Sequence, residues 1–228
     1  MVIPMLHDPH LPEILKEKII RTLGDKHPQL ESILQSIQDL GQEARSNPVT
    51  HAPGLGQLEV DVTDLAREYR MRNDNTAPEH IYLLMMDVDH FGNFNNRYGH
   101  QYGDGVLKAI TRIIDKTLRA DDRVLKRTRK SYDYHLHGEE MLAIYTSRSD
   151  DDAYTIAERV RSKVERGSSK LTRHTVTLSG GLTSWDPVTE KFNTALKRAD
   201  DFMYQAKHCG RNRIYDGLIV PGPSLKAG

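Results

Sequence analysis

The sequence has few of the features that mark secreted, membrane or nucleic-acid-binding proteins. Its single cysteine, Cys209, excludes an internal disulfide framework and suits the reducing cytoplasm. No apolar run approaches the ~20 residues that span a bilayer, and the N-terminus lacks the basic and apolar regions of a signal peptide. The 32 basic and 32 acidic residues balance, which leaves no basic excess for general binding to nucleic acid or membranes. These absences predict a soluble cytoplasmic protein.

Carboxylates follow an apolar segment near the middle of the chain. Residues 81–86, Ile-Tyr-Leu-Leu-Met-Met, have the length and composition of a buried strand. Asp87 and Asp89 come directly after this segment. Alone, they are equally compatible with solvated residues at the end of a strand.

A second acidic pair, Glu139 and Glu140, lies in the turn of a predicted hairpin over residues 132–146. Adjacent carboxylates repel each other, and a divalent cation would relieve that repulsion because hard cations prefer carboxylate oxygens. If the hairpin neighbours the strand that ends at Asp87, the two clusters form the kind of metal site that phosphoryl transfer uses. The alternative from these residues is a solvated acidic turn.

Four motifs, in the same order as in the GGDEF family of diguanylate cyclases, give the chain a specific resemblance. The family's D-x-D-x-F-K-x-x-N-D-x-x-G-H-x-x-G-D pattern is matched at Asp87, Asp89, Phe91, Asn95, Gly99, His100, Gly103 and Asp104. The remaining matches are residues 137–141 (His-Gly-Glu-Glu-Met) at the motif that names the family, residues 175–181 at its V-T-x-S-x-G strand, and residues 199–213 at its closing A-D-x-A-L-Y-x-A-K-x-x-G-R-N helix.

The resemblance implies an α+β fold, a palm-like nucleotidyl-cyclase domain with an antiparallel sheet and helices covering one face. Apolar spacing between residues 11 and 40 predicts an N-terminal helical hairpin, and residues 46–56, which contain proline and glycine, suggest a linker. A helix is expected over 61–72, with a remnant of the family's opening D-x-L-T-G-L-x-N-R element at Asp61–Leu65. The predicted domains are an N-terminal helical module and linker (1–57), a cyclase domain (58–216) and a flexible tail (217–228).

The resemblance also implies an activity, the condensation of two GTP molecules into cyclic di-GMP. In that reaction a 3′-hydroxyl attacks an α-phosphate and pyrophosphate leaves. Asp87, Glu139 and Glu140 are the expected catalytic residues. Together with the carbonyl of Val88, they are also the expected ligands of two Mg²⁺ or Mn²⁺ ions per active site.

Substrate contacts are implied at six matched positions. Asn95 and Asp104 are expected to read guanine, because a carboxylate can accept hydrogen bonds from N1 and N2 together. Asp104 could also cap the helix that it is expected to open. The other expected contacts are Lys207 and Arg211 on phosphate, with Phe91 and Gly138 near the nucleotide.

The chain departs from the family pattern at three places. His137 replaces the first glycine of the name motif and could crowd the nucleotide, while Gly92 stands where the family has a phosphate-contacting lysine. The inhibitory R-x-x-D motif is missing at its expected places, Thr128 and Ser131. The basic stretch 121–130 is either a solvated hairpin face or a site for an anionic regulator.

Two further interpretations stay open beside the cyclase. One is a degenerate module that binds GTP or a cyclic nucleotide without turnover, and the other is a palm-type cyclase with a different cyclic product. The spacing of His135, His137 and Glu139 also allows a zinc site, although oxygen ligands dominate this region. As a cyclase the chain would work as a homodimer, through the N-terminal helices, the facing active sites or both, because each domain holds one GTP.

Overall fold

The computed structural model describes residues 46–71, 80–120 and 133–217. The chain divides into two compact units, residues 1–45 and 46–228. The first unit lies outside the described residues, and with it the helical hairpin expected between residues 11 and 40. The basic stretch 121–130 and residues 218–228 of the expected tail also lie outside them.

Helices and strands alternate along the described part of the second unit. In chain order they are α1 (Leu55–Arg70), β1 (His80–Val88), α2 (Phe91–Tyr98), α3 (His100–Ala120), β2 (Asp133–His137), β3 (Glu140–Ser147), α4 (Asp150–Thr172), β4 (Leu178–Trp185), α5 (Phe192–His208) and β5 (Ile214–Tyr215). This order contains the buried strand predicted at 81–86 and the hairpin predicted over 132–146. No helix of the described ranges is both long and apolar enough to cross a membrane.

The strands form one mixed sheet in the order β2-β3-β1-β4-β5. The central strand β1 pairs antiparallel with β3 and β4 and is buried along almost its whole length. Alternate residues of β1 face opposite sides, so one set packs with α3 and α4 and the other with α1 and α5. Both faces of β1 therefore contribute to the hydrophobic core.

Two details of the predicted sheet are wrong. Helices cover both faces of the sheet rather than one, which explains why β1 is apolar at consecutive positions. The strand β5 pairs parallel to β4, so the sheet is not purely antiparallel. This direction follows from α5, because a helix that crosses over between two neighbouring strands lets the second strand run parallel to the first.

The segment suggested as a linker, residues 46–56, is folded onto the sheet. The Asn47 side chain accepts hydrogen bonds from the amides two and three residues later, at 2.9 and 3.0 Å, and Ser46 bridges to Pro53. The helix α1 begins at Leu55, six residues before the expected start at Asp61. The second unit thus starts before the boundary that composition suggests at residue 58, and residues 46–53 are called the lead-in turn below.

Residues Asp61–Leu65, where a remnant of the family's opening element is expected, are part of α1. Asp61 is buried there and accepts hydrogen bonds from Gln57 at 2.8 Å and Tyr134 at 2.7 Å. In the lead-in turn, His51 has φ 59°.

A close approach between α5 and β4 gives a test of this packing. A Cβ at Gly181 would overlap the carbonyl oxygen of Ala199 and the amide nitrogen of Met203. We expect Gly181→Ala to lower the free energy of unfolding by about 1–3 kcal/mol, since the backbone of α5 must shift. Urea unfolding measures this loss.

The matched control is Gly105→Ala on α3, where a Cβ would meet no atom within 4 Å. There the same substitution should raise stability by up to about 1 kcal/mol, because alanine favours a helix more than glycine does. Equal effects at the two positions would contradict the close approach.

Candidate active site

Asp87, the last residue but one of β1, lies in the middle of an acidic group. In the sheet register it lies opposite Glu140 on β3 and Ser179 on β4, and directly opposed residues project from the same face. That face is the one covered by α5, and the Nζ of Lys207 lies 2.7 Å from Oδ2 of Asp87. The structure thus brings Asp87, Glu140 and Lys207 together, as the sequence predicted for the hairpin and the strand.

The Asp87 side chain is only 8% exposed. Burial raises the pKa of its carboxyl group, the charges of Glu139 and Glu140 raise it further, and Lys207 opposes both. Burial outweighs the ion pair even though the two charged groups are in contact. Such a cluster stabilises any cation that approaches it.

The hairpin turn consists of Gly138 and Glu139, between β2 and β3. Gly138 has φ 53°, a conformation that glycine adopts without the steric cost that a Cβ brings. His137, at the first glycine of the family motif, lies outside this left-handed region. Its side chain is 69% exposed, and Nδ1 lies 3.3 Å from Oε2 of Glu140. The backbone therefore accommodates His137, and its effect on a bound nucleotide stays a prediction.

Asp89 has a role that the sequence analysis missed. Its buried carboxylate accepts hydrogen bonds from the hydroxyls of Thr177 and Ser179, both at 2.7 Å, and from the backbone amide of Asn212 at 3.0 Å. Asn212 follows Arg211, and both have positive φ. Asp89 thus holds the loop that carries Arg211 at the end of β1.

The donor atoms around Asp87 suit a hard cation. They are the carboxylate oxygens of Asp87, Glu139 and Glu140, joined by the Val88 carbonyl, and Mg²⁺ typically binds one or two carboxylates together with substrate phosphates. Within the described ranges no three His, Cys, Asp or Glu side chains are already grouped to hold a metal. The residues fit a magnesium site that substrate phosphates complete.

The base-reading candidates lie on neighbouring helices. Asn95 is on α2, with its Oδ1 buried against Gly103 of α3, where a Cβ would overlap it. Because α3 begins at His100, Asp104 is its fifth residue, and the expected capping role is wrong. Among the described residues its half-exposed carboxylate has no hydrogen-bond or ion-pair partner.

Three other candidates differ in their surroundings. Phe91 is buried in the core and stacks on Phe94 with ring centroids 6.3 Å apart, so packing accounts for it, and its contact with substrate stays a prediction. Arg211 is exposed beside the loop that Asp89 holds. Gly92 is exposed, and a Cβ there would meet nothing within 4 Å, so the fold does not require glycine at this position.

Comparison with known proteins places this geometry in a family. Residues 63–213 match the family model described as "Diguanylate cyclase, GGDEF domain". Diguanylate cyclase A of Treponema denticola is 33% identical over 148 residues, which are 64% of this chain and 38% of that protein. Diguanylate cyclase VdcA of Vibrio cholerae is 33% identical over 143 residues, 60% of this chain and 39% of that one. The chain therefore spans less than half the length of these curated relatives.

Solved structures show the same fold. The coiled coil and GGDEF domain of DgcB from Caulobacter crescentus, in complex with c-di-GMP, has a TM-score of 0.62 at 21% identity and covers 87% of this chain and 99% of that one. The diguanylate cyclase SiaD of Pseudomonas aeruginosa, in complex with its activator SiaC, has a TM-score of 0.61 at 25% identity, covering 90% and 75%. The first of these likenesses shows the fold alone.

The hydrogen bonds of Asp89 predict a large effect of a small substitution. All three partners donate to the carboxylate, so Asp89→Asn removes the charge that strengthens these bonds and makes one hydroxyl accept instead of donate. We expect the free energy of unfolding to fall by about 1–3 kcal/mol, measured by urea unfolding. Asp201→Asn, which alters an exposed pair with Lys197, should change it by less than about 0.5 kcal/mol. A loss of similar size in both variants would contradict the role of Asp89.

Proposed function

Because this chain belongs to the GGDEF family of diguanylate cyclases, we propose that it condenses two molecules of GTP into cyclic di-GMP and pyrophosphate. The observation that carries the proposal is the buried Asp87, opposed by Glu140 and in contact with Lys207 at the end of the central strand. In the proposed reaction the 3′-oxygen of one GTP attacks the α-phosphorus of the other, and the bond to pyrophosphate breaks. A second attack, by the remaining 3′-oxygen on the other α-phosphorus, closes the ring and releases a second pyrophosphate.

Two Mg²⁺ or Mn²⁺ ions would be held by the carboxylates of Asp87, Glu139 and Glu140 and by the Val88 carbonyl. When bound, such an ion neutralises phosphate charge and lowers the pKa of the attacking hydroxyl. The fold holds these ligand residues in place. Asp87 is fixed by the register of β1, and Glu140 begins the neighbouring strand.

The nucleotide would lie between the acidic cluster and the helices α2 and α3. Asp104, whose carboxylate has no partner among the described residues, would accept hydrogen bonds from N1 and N2 of guanine, and adenine offers no such pair of donors there. Asn95 lies on the adjacent helix and would complete the base site. Lys207 and Arg211 would bind phosphate as a point charge and a bidentate fork.

One domain holds one GTP, so the proposed reaction needs two domains face to face in a homodimer. The N-terminal unit, residues 1–45, is a candidate for setting this association. A domain of residues 58–216 with flanking segments 1–57 and 217–228, and a cytoplasmic location, stay predictions.

Gly92 favours a second candidate function. Without the family's lysine the site has one phosphate contact fewer, which fits a module that binds a guanine nucleotide and converts it slowly or not at all. The acidic residues favour the cyclase, since Asp87, Glu139 and Glu140 have no evident use without the condensation reaction. A palm-type cyclase with a different cyclic product would be recognised by the bases in its product.

Incubation of the purified chain with GTP and Mg²⁺, and separately with ATP, followed by mass spectrometry of the products, tests the proposal. We expect cyclic di-GMP from GTP alone. Glu139→Gln should lower turnover by at least about a hundredfold, the scale seen when a positioned electrostatic group is removed. Glu59→Gln on the exposed face of α1 is the matched control and should keep full activity. Turnover that survives Glu139→Gln would remove the metal role from this carboxylate, and saturable GTP binding without any product would favour the binding module.

Restoring the family's lysine should strengthen phosphate binding. A lysine at position 92 has open space around its Cβ and adds a charge-assisted contact worth about 1–3 kcal/mol. We expect Gly92→Lys to lower the KM for GTP by about fivefold or more, measured by steady-state kinetics. Gly92→Gln, which has a similar length and no charge, should leave KM near the original value. An equal effect of both substitutions would show that helix stability, not charge, matters at this position.

A further inference from the structure

His135 on β2 makes two side-chain contacts that join the lead-in turn to the hairpin turn. The residue is 1% exposed. Its Nε2 lies 2.8 Å from the carbonyl oxygen of Gly138, and its Nδ1 lies 2.9 Å from Oγ1 of Thr50. Its backbone amide also donates to the carbonyl of Pro53 at 2.9 Å. Both ring nitrogens are therefore occupied, which leaves none for the zinc site that the spacing allowed.

The chemistry of the partners fixes the proton on the ring. A carbonyl oxygen can only accept, so Nε2 of His135 carries the hydrogen and donates to Gly138. In the neutral ring Nδ1 then accepts, and the hydroxyl of Thr50 donates to it. Burial lowers the pKa of His135, which agrees with a neutral ring. The three residues thus form a directed chain from Thr50 through His135 to Gly138.

The backbone pairing of β2 with β3 is irregular next to the hairpin turn. The register of β2 against β3 shifts by one residue between His135 and His137, which is a β-bulge. A bulge interrupts the ladder and re-aims the side chains beside it. The hydrogen bond from Nε2 of His135 to the Gly138 carbonyl joins a residue before this bulge to one after it.

We infer that His135, held by Thr50, is a positioning residue that fixes the Gly138 carbonyl and thereby the placement of Glu139 and Glu140 opposite Asp87. This inference rests on the proposed function for its catalytic consequence. The lead-in turn directly follows residues 1–45 in the chain, and a change in its conformation would reach the two carboxylates through Thr50 and His135. The lead-in turn is thereby a point at which turnover can be regulated.

A neighbouring contact provides the control. Tyr134, next to His135 on β2, donates its hydroxyl to Asp61 of α1 at 2.7 Å in a buried site. This bond also ties the beginning of the second unit to β2, but it makes no contact with the hairpin turn. Tyr134→Phe therefore removes a comparable bond without touching Gly138.

The test compares Thr50→Val, Thr50→Ser and Tyr134→Phe in the full chain. Valine keeps the shape of threonine without the hydroxyl, and serine restores the hydroxyl. We expect Thr50→Val to speed hydrogen exchange of the amides of residues 138–140 and to lower kcat by about ten- to a hundredfold, because small misplacements of catalytic groups have effects of that size. The effect on kcat should exceed the effect on the KM for GTP, since the proposed base site lies on α2 and α3. Thr50→Ser should restore both properties.

Tyr134→Phe should lower the melting temperature while leaving turn exchange and kcat unchanged. Unaltered hydrogen exchange at residues 138–140 in Thr50→Val would overturn the inference. So would an equal drop in kcat in Thr50→Val and Tyr134→Phe when the two variants lose the same stability. If the unsubstituted chain forms no dinucleotide, the proposed function fails. In that case, hydrogen exchange at residues 138–140 and Mn²⁺ binding, measured by electron paramagnetic resonance for the same variants, still decide whether the lead-in turn positions the carboxylates.

Discussion

Two buried carboxylates at the end of a central strand require partners, and the surrounding structure supplies them. A buried charge without a partner is costly by several kcal/mol. Asp87 meets Lys207 at the end of α5, and Asp89 meets three donors, from Thr177 just before β4, from Ser179 in β4 and from the loop after α5. These bonds draw the last turn of α5 and its loop onto the end of β1. The cations proposed to bind phosphate therefore gather beside the acidic residues for a structural reason as well as a chemical one.

The two halves of the acidic cluster are held in different ways. Asp87 belongs to a strand that pairs on both sides and is buried on both faces, so its position follows from the sheet. Glu139 belongs to a two-residue turn beyond a bulge, where the ladder is irregular. Its position depends on contacts other than the backbone bonds of the ladder, and among the described residues the side chain of His135 provides one through the Gly138 carbonyl. A site built from a rigid half and an adjustable half can be switched by acting on the adjustable half alone.

Much of the fold was predictable because its signals are local. The apolar run 81–86 predicted the central strand. The acidic residues after it and in the hairpin suggested two neighbouring clusters, and the register of Asp87 with Glu140 places them side by side. The lead-in turn was missed because proline and glycine occur in linkers and in packed turns alike. The role of His135 was missed for another reason. Alternation along a strand reveals burial but not which backbone carbonyl a side chain reaches across a bulge.

The contact between Lys207 and Asp87 links metal and substrate in the proposed reaction. Lys207 cannot fully neutralise Asp87 and a phosphate at the same time, because it carries one charge. When phosphate attracts Lys207, the buried Asp87 loses its partner, and a cation becomes the group that best replaces it. Conversely, a cation on Asp87 releases Lys207 for phosphate. Each ligand then favours the other, a reciprocal coupling that requires no change in the fold. With Gly92 leaving one cation fewer on the phosphate side, the proposed affinity for GTP would depend on this exchange more than it would with a lysine there.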